Sequence, residues 1–318
     1  MTTDPPKDSL RAGKFRAKAF AASFAGAQRE AAARTFTRVI VESYWKKIQE
    51  QVVHPLTLRE IFLPQKAVCL PDPLSALATT MGEAAARLEP LAAAYLISAT
   101  YTAMLPDETR SRLGAYYTPP PLAERLVSMS TSAGVDWRTC RVLDPACGGG
   151  AFLSAVAIPL AKASAGKPAE QFLTDVASRL KGFEIDPFAA WLSQVFLEAT
   201  LMPTCDRAGQ RLPILVDVCD SFSAPEPRER EAHYDLVIGN PPYGKVSLPA
   251  GMRSRYGRSL YGHANLYGLF TDLAVRFTRP GGVIAYVTPT SFLAGEYFKS
   301  LRHLLVTSAR PVNIDFIS

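Results

Sequence analysis

The chain has 318 residues, 48% of them hydrophobic and 20% charged, with a formal net charge of +6. That apolar content supports one large or two modest cores and excludes a mainly disordered chain. No run of about 18 uncharged apolar residues is present, so no membrane-spanning helix and no membrane partner are expected, and the surplus of cations fits an anionic partner such as nucleic acid.

The first residues, MTTDPPKDSLRAGKFRAK, carry prolines and charges where a signal peptide needs an apolar run. The five cysteines (Cys69, Cys140, Cys147, Cys205, Cys219) include no CxxC pair. A disulfide framework and a structural zinc site are therefore not indicated, and a reducing cytoplasm is expected. Residues 1–18 read as a solvated basic arm (Lys7, Arg11, Lys14, Arg16, Lys18). From about 19 to 105 the chain is rich in alanine and helical in period, with Phe36, Ile40, Tyr44, Ile48 and Val52 spaced four apart on one face. Pro90 marks a kink or a fresh helix start.

After about 110 the texture changes. Strands are expected at Arg141–Asp144, Leu180–Ile185, Pro213–Asp217, Tyr234–Ile238, Val283–Thr288 and Val312–Ile317, with helices near 150–163, 168–179, 187–201, 264–278 and 292–306. Such alternation predicts βαβ units, and so an α/β fold with a doubly wound, mostly parallel sheet behind an all-helical N-terminal region. The division expected is 1–108 helical and 109–318 catalytic. Ligands in such sheets bind at the carboxyl ends of strands, and the chemistry-bearing residues fall there.

The first of these loops runs Asp144-Pro145-Ala146-Cys147-Gly148-Gly149-Gly150. Its glycines let a ligand approach the backbone beside a helix N-terminus. Leu153 stands where a dinucleotide fingerprint has its third glycine, and the GK[ST] of a phosphate-binding loop is missing. Asp144 suits a cationic ligand group better than a pyrophosphate. Glu184, at the end of the next strand, can accept hydrogen bonds from both hydroxyls of a ribose. Its separation from Gly150 implies an extra intervening helix. Asp186 suits capping of the helix that Pro187 opens. Asp220 is a candidate for an adenine amino group, with Ile185 or Phe222 against the ring.

The sharpest element is Asn240-Pro241-Pro242-Tyr243. Tandem prolines fix φ and remove two N–H donors, leaving a rigid turn with a free carboxamide oxygen, free carbonyls and an aromatic ring. The Asn240 oxygen and the Pro241 carbonyl can accept the two hydrogens of an –NH2 group while Tyr243 stacks on its plane. Holding both hydrogens draws the nitrogen toward tetrahedral geometry and frees its lone pair for attack. Downstream, Lys245, Arg253, Arg255 and Arg258, interleaved with Tyr256 and Tyr261, lie in a stretch without acids between Asp235 and Asp272. They are candidates for phosphate contact.

Loop 144–153, Glu184, Asp220 and Asn240–Tyr243, in that order, resemble the motifs of S-adenosylmethionine-dependent methyltransferases acting on amino nitrogens. With Gly114-Ala115-Tyr116-Tyr117-Thr118-Pro119 upstream and Asn265–Phe270 and Gly281-Gly282-Val283 downstream, residues 110–318 resemble the gamma-type DNA adenine-N6 methyltransferases of restriction–modification systems. The resemblance implies a Rossmann-like catalytic fold. It implies that Tyr117, Thr118, Asp144, Ala146, Gly148 and Gly150 hold the methionine part of S-adenosylmethionine, Asp144 facing its ammonium. Glu184 and Ile185 would lie at the ribose, Asp220 and Phe222 at the adenine. Asn240, Pro241, Pro242 and Tyr243 would grip an adenine flipped out of duplex DNA. It also implies a cognate restriction endonuclease. The target-recognition domain usual in the family is not recognisable here, so a missing C-terminal part or a separate recognition subunit is expected. Competing expectations are methylation of a protein glutamine or of RNA, and a non-catalytic subunit.

Overall fold

The computed structural model describes residues 5–61, 67–113, 118–222, 231–309 and 311–316. Its N-terminal layer is helical: α1 (Pro5–Ala22), α2 (Gly26–Gln49), α3 (Asp72–Ala85), α4 (Pro90–Met104) and α5 (Asp107–Leu113). Pro90 opens α4 at a position whose N–H needs no helical partner. The expected basic arm is instead α1, and its Leu10, Gly13, Ala17 and Ala21 are buried. Small residues let α1 lie close: a Cβ on Gly13 would sit 2.4 Å from Met81 Sδ. Phe36, Ile40 and Tyr44 bury on α2 as their spacing predicts, but the helix ends at Gln49, and Val52 packs from the following segment.

After α6 (Pro120–Ser132) the alternation begins: β1 (Val142–Asp144), α7 (Ala151–Ala163), α8 (Ala169–Arg179), β2 (Leu180–Glu184), α9 (Pro187–Thr200), α10 (Met202–Ala208), β3 (Val216–Val218) and β4 (Tyr234–Gly239). A small antiparallel pair, β5 (Lys245–Val246) with β6 (Ala264–Asn265), brackets α11 (Ala250–Arg255). The chain continues through α12 (Leu266–Phe277), β7 (Thr278–Tyr286), α13 (Ser291–Ala294) and α14 (Lys299–Ser308). The main sheet runs β3-β2-β1-β4-β7 with every pairing parallel. Its order reverses between β1 and β4, which opens a crevice at their carboxyl ends.

Alternate strand residues face opposite layers, as a two-residue period requires. Val142, Leu236 and Ile238 join the core under α6, α7 and α8, whereas Leu143 and Val237 join the core under α12. Every residue of α9 from Phe188 to Ala199 is buried. Its Ala190 and Leu197 pack toward the sheet, and its Phe188, Trp191, Leu192, Val195 and Phe196 pack into the helical layer. A helix buried all round is one with a packed partner on each side.

Three expected elements differ. β3 starts at Val216, because the Gln194 side chain takes the polar groups of Pro213 and Leu215 that a longer strand would use. The helix expected over 292–306 is split by Gly295, whose ψ of 134° is extended, into α13, a 3-10 turn and α14. The strand expected at Val312–Ile317 is not formed over 312–316; Ile317 lies outside the described residues. Pro311 removes a donor there, and Asp315 is drawn onto Arg125 of α6 at 2.9 Å. The outer edge of β7 is thus unpaired among the described residues. An apolar groove of about 1060 Å³ runs beside it, lined by Leu122, Met129, Ile284, Leu301 and Phe316. None of the carboxylates at the ends of β1 and β2 lines that groove.

Candidate active site

The β1 and β4 ends meet tightly. A Cβ on Gly239 would fall 2.8 Å from Asp144 Oδ1, so only glycine allows the two strand ends this approach. Asp144 is 1% exposed; its Oδ1 accepts from Ala146 N at 3.1 Å, and its buried Oδ2 has no hydrogen-bond partner. Burial pushes the Asp144 carboxyl up to about 8, against the opposing hydrogen bond from Ala146, with the Glu184 charge adding to the rise. A buried acid with an unsatisfied oxygen calls for a cationic donor.

The glycine loop turns into α7 at Gly150, whose φ of 82° is left-handed and whose Cβ position is filled by Ser193 Oγ at 2.6 Å. Gly148 N–H donates to Glu184 Oε2 at 2.8 Å, and Asp186 N–H donates to Oε1 at 2.8 Å. Burial raises the Glu184 carboxyl to about 7 in spite of these donors. Ionised, each oxygen keeps lone-pair capacity for a further donor. The extra helix inferred between Gly150 and Glu184 is present, since α7 and α8 both intervene. Asp186 caps α9 as expected, accepting from Phe188 N at 3.1 Å.

Ala146 is half-buried beside Asp144, and Ile185 is 55% exposed, free to cover a flat ligand. Asp220 Oδ1 accepts from Phe222 N at 3.0 Å. The Phe222 ring is buried edge-on against Phe270 (4.6 Å) and Tyr256 (5.5 Å).

At the Asn240–Tyr243 turn, Asn240 Nδ2 donates to Oγ1 of buried Thr118 at 3.2 Å. Thr118 thus links the segment ahead of α6 to the proline turn; Tyr117 lies outside the described residues. The carboxamide oxygen, expected to be free, accepts from the Tyr243 hydroxyl, which also lies 3.2 Å from the Val287 carbonyl. Pro241 is buried and Pro242 half-buried. The Tyr243 ring meets Tyr267 edge-on at 6.1 Å.

The basic stretch is less open than its sequence suggests. Arg255 pairs with Glu231, and Arg258 reaches Asp272 at 2.6 Å, so acids at or beyond the ends of the stretch supply partners. Tyr256 is buried. Lys245 and Arg253 are exposed, Arg253 donating to the Gly262 carbonyl at 3.3 Å. One neighbour was missed from sequence: Tyr286, whose phenol is pushed well up by burial and by the Asp144 charge. The signal was available in the parallel register, which sets Tyr286 beside Gly239.

This sheet order, with acids and a proline turn at the β1, β2 and β4 ends, is a Rossmann-like α/β fold with a mostly parallel sheet behind a helical N-terminal region. Residues 183–317 match the family model described as Eco57I restriction-modification methylase. The chain is 30% identical over 220 residues to Type II methyltransferase M.TthHB8I of Thermus thermophilus, a match covering 64% of this chain and 41% of that protein. It is 26% identical over 199 residues to Type II methyltransferase M.BsuBI of Bacillus subtilis, covering 62% and 38%. Among solved structures, the Type IIL restriction-modification enzyme MmeI in complex with DNA superposes with a TM-score of 0.55 at 16% identity, over 96% of this chain and 53% of that one. The ATP-dependent Type ISP restriction-modification enzyme LlaBIII bound to DNA gives 0.56 at 14% identity, over 86% and 22%. The resemblance carried by the motifs therefore holds: the chain is similar to the methyltransferases of restriction–modification systems. It spans about two fifths of the length of the two curated relatives.

Proposed function

We propose that this chain carries the catalytic site of a DNA adenine-N6 methyltransferase that uses S-adenosylmethionine, working in the cytoplasm within a restriction–modification system. One observation carries the reading: Gly239 lies against the Asp144 carboxylate, so the proline turn and the buried acids share one crevice.

The residues present suit the cofactor. The orphaned Asp144 oxygen fits an ammonium, Glu184 retains acceptor capacity for ribose hydroxyls, and exposed Ile185 offers an apolar cover for the adenine. Ala146, Gly148 and Gly150 give a backbone that a ligand can approach, and Asp220 stands at the β3 end for the adenine amine. When bound, S-adenosylmethionine supplies a methyl group activated by its sulfonium. The chain's own work is to orient the acceptor. Asn240 Oδ1 and the Pro241 carbonyl take the two amine hydrogens, and the nitrogen lone pair leaves conjugation with the ring. Tyr243 stacks on a base that has left the duplex, and Thr118, by accepting from the Asn240 amide nitrogen, fixes which end of the carboxamide is the acceptor. No strong general base is required. Lys245 and Arg253 are the exposed cations best suited to flanking phosphates. A cognate endonuclease is the partner such a system calls for.

Transfer of a radiolabelled methyl group offered duplex DNA, RNA and a release-factor-like protein tests this. Label in DNA, recovered as N6-methyladenine and lost in Asn240→Ala with cofactor binding intact, is expected. Label in RNA or protein alone overturns the assignment.

A further inference from the structure

The helical layer reaches the nucleoside end of the crevice through one buried residue. Asp186, 4% exposed, is gripped from two helices of that layer. Tyr101 of α4 donates its hydroxyl to Asp186 Oδ2 at 2.9 Å, and Arg34 of α2 donates to Oδ1 at 3.3 Å. Both partners are themselves sequestered: Tyr101 is 1% exposed, its ring 4.7 Å from that of Phe188, and the Arg34 side chain is 12% exposed. From Asp186 the chain of contacts continues without a gap. Its N–H donates to Glu184 Oε1, and Glu184 Oε2 takes the Gly148 N–H of the glycine loop.

We propose that Tyr101 and Arg34 are positioning residues for the Glu184 carboxylate: by fixing Asp186 they hold the 184–186 backbone in the conformation that presents Glu184 to a ribose-bearing cofactor. The proposal rests on Glu184 taking the ribose hydroxyls. Three arguments favour positioning over a tie that merely joins two layers. Capping of α9 already engages Asp186 Oδ1, yet two further donors from outside the sheet converge on the same carboxylate. The donors belong to different helices, so their convergence restrains both the rotation and the tilt of the carboxylate. Finally, only one residue separates Asp186 from Glu184, and a backbone N–H joins the two directly. A rotation at 186 therefore moves Glu184 and the Gly148 contact together. Restraint of this kind raises affinity by reducing what must be ordered on binding.

The test is calorimetric binding of S-adenosylhomocysteine to the full chain, well below the melting temperature, with thermal unfolding measured in parallel. Tyr101→Phe and Arg34→Met are expected to weaken the Kd roughly tenfold, the scale of one lost charge-assisted hydrogen bond. Arg34→Lys is expected to recover at least half of the loss. A lowered melting temperature with a Kd within about twofold of the parent in both variants is what a structural tie alone gives, and overturns the proposal. Glu184→Ala separates the two levels. If it weakens binding while Tyr101→Phe and Arg34→Met do not, only the positioning role falls. If Glu184→Ala leaves the Kd unchanged, the reading of Glu184 falls and the positioning role with it.

Discussion

The hydroxyl of Tyr243 donates to the carboxamide oxygen of Asn240, so the acceptor that an incoming amine needs is engaged before any substrate arrives. Removing that hydroxyl keeps the aromatic face and releases the oxygen. Tyr243→Phe is therefore expected to bind a target-bearing duplex about threefold more tightly, the scale of one neutral hydrogen bond. Fluorescence anisotropy of an end-labelled duplex that keeps adenine at the target position reads this. Weaker capture by the Phe variant would show that the hydroxyl assists the base instead.

Thr118 holds the other end of the same carboxamide. With Thr118→Val the amide loses the acceptor that fixes its orientation, and a rotated amide would point its –NH2 at the substrate. The methyl-transfer rate constant is expected to fall about tenfold or more, while cofactor Kd changes little. Thr118→Ser restores the rate. Equal effects of Val and Ser in single-turnover assays would count against this role.

The raised carboxyls give pH a definite sign. Asp144 and Glu184 hold their protons up to about 8 and about 7 in the folded, ligand-free chain, above the ordinary carboxylate range of the unfolded chain. Their contribution to stability is complete below that range and is lost as pH rises through 7 and then 8. Urea unfolding of the ligand-free protein should thus show stability declining toward about pH 9, with a flatter decline in Asp144→Asn. Binding of a cofactor bearing an ammonium group runs the other way. It favours the ionised acids, so affinity should rise from about pH 6 to about pH 8.5 with proton release in the calorimeter.

The four cations after the turn separate into two pairs. Lys245 and Arg253 are exposed and in no ion pair among the described residues, whereas Arg255 and Arg258 answer Glu231 and Asp272. Replacing Lys245 and Arg253 together by alanine is expected to reduce the salt dependence of DNA binding by roughly one to two units of slope, with stability unchanged. Arg258→Ala should instead destabilise the fold by about 1–2 kcal/mol, because Asp272 has no exposure and, among the described residues, then keeps only Arg276 as a cationic partner. A salt titration of DNA affinity and a urea series distinguish the pairs.

The strand-end acids and the proline turn were legible because each follows an apolar run whose period and length define a strand. The parallel order then sets those ends side by side. What the sequence did not disclose depends on contacts between distant segments. The reach of Glu231 and Asp272 to the arginines spans 24 and 14 residues. The grip of Tyr101 on Asp186 spans 85 residues and joins segments of different texture. The α1 helix was hidden by its charges, since the face it buries is made of one leucine and small residues that carry little hydropathy signal. That Phe222 packs into the core under α12 was not legible either, because an aromatic beside a loop acid can serve a ligand or a core equally well in one dimension.

The placement of α9 bears on how the protein behaves when cut. Phe188, Trp191 and Phe196 are walls of the sheet's own helix, yet it is the N-terminal helices that keep them from water. A fragment trimmed at the change in texture would carry an oily flank into solution and adhere to its own kind. The two layers share one wall across a seam in composition, and melting in a single step is the expected behaviour.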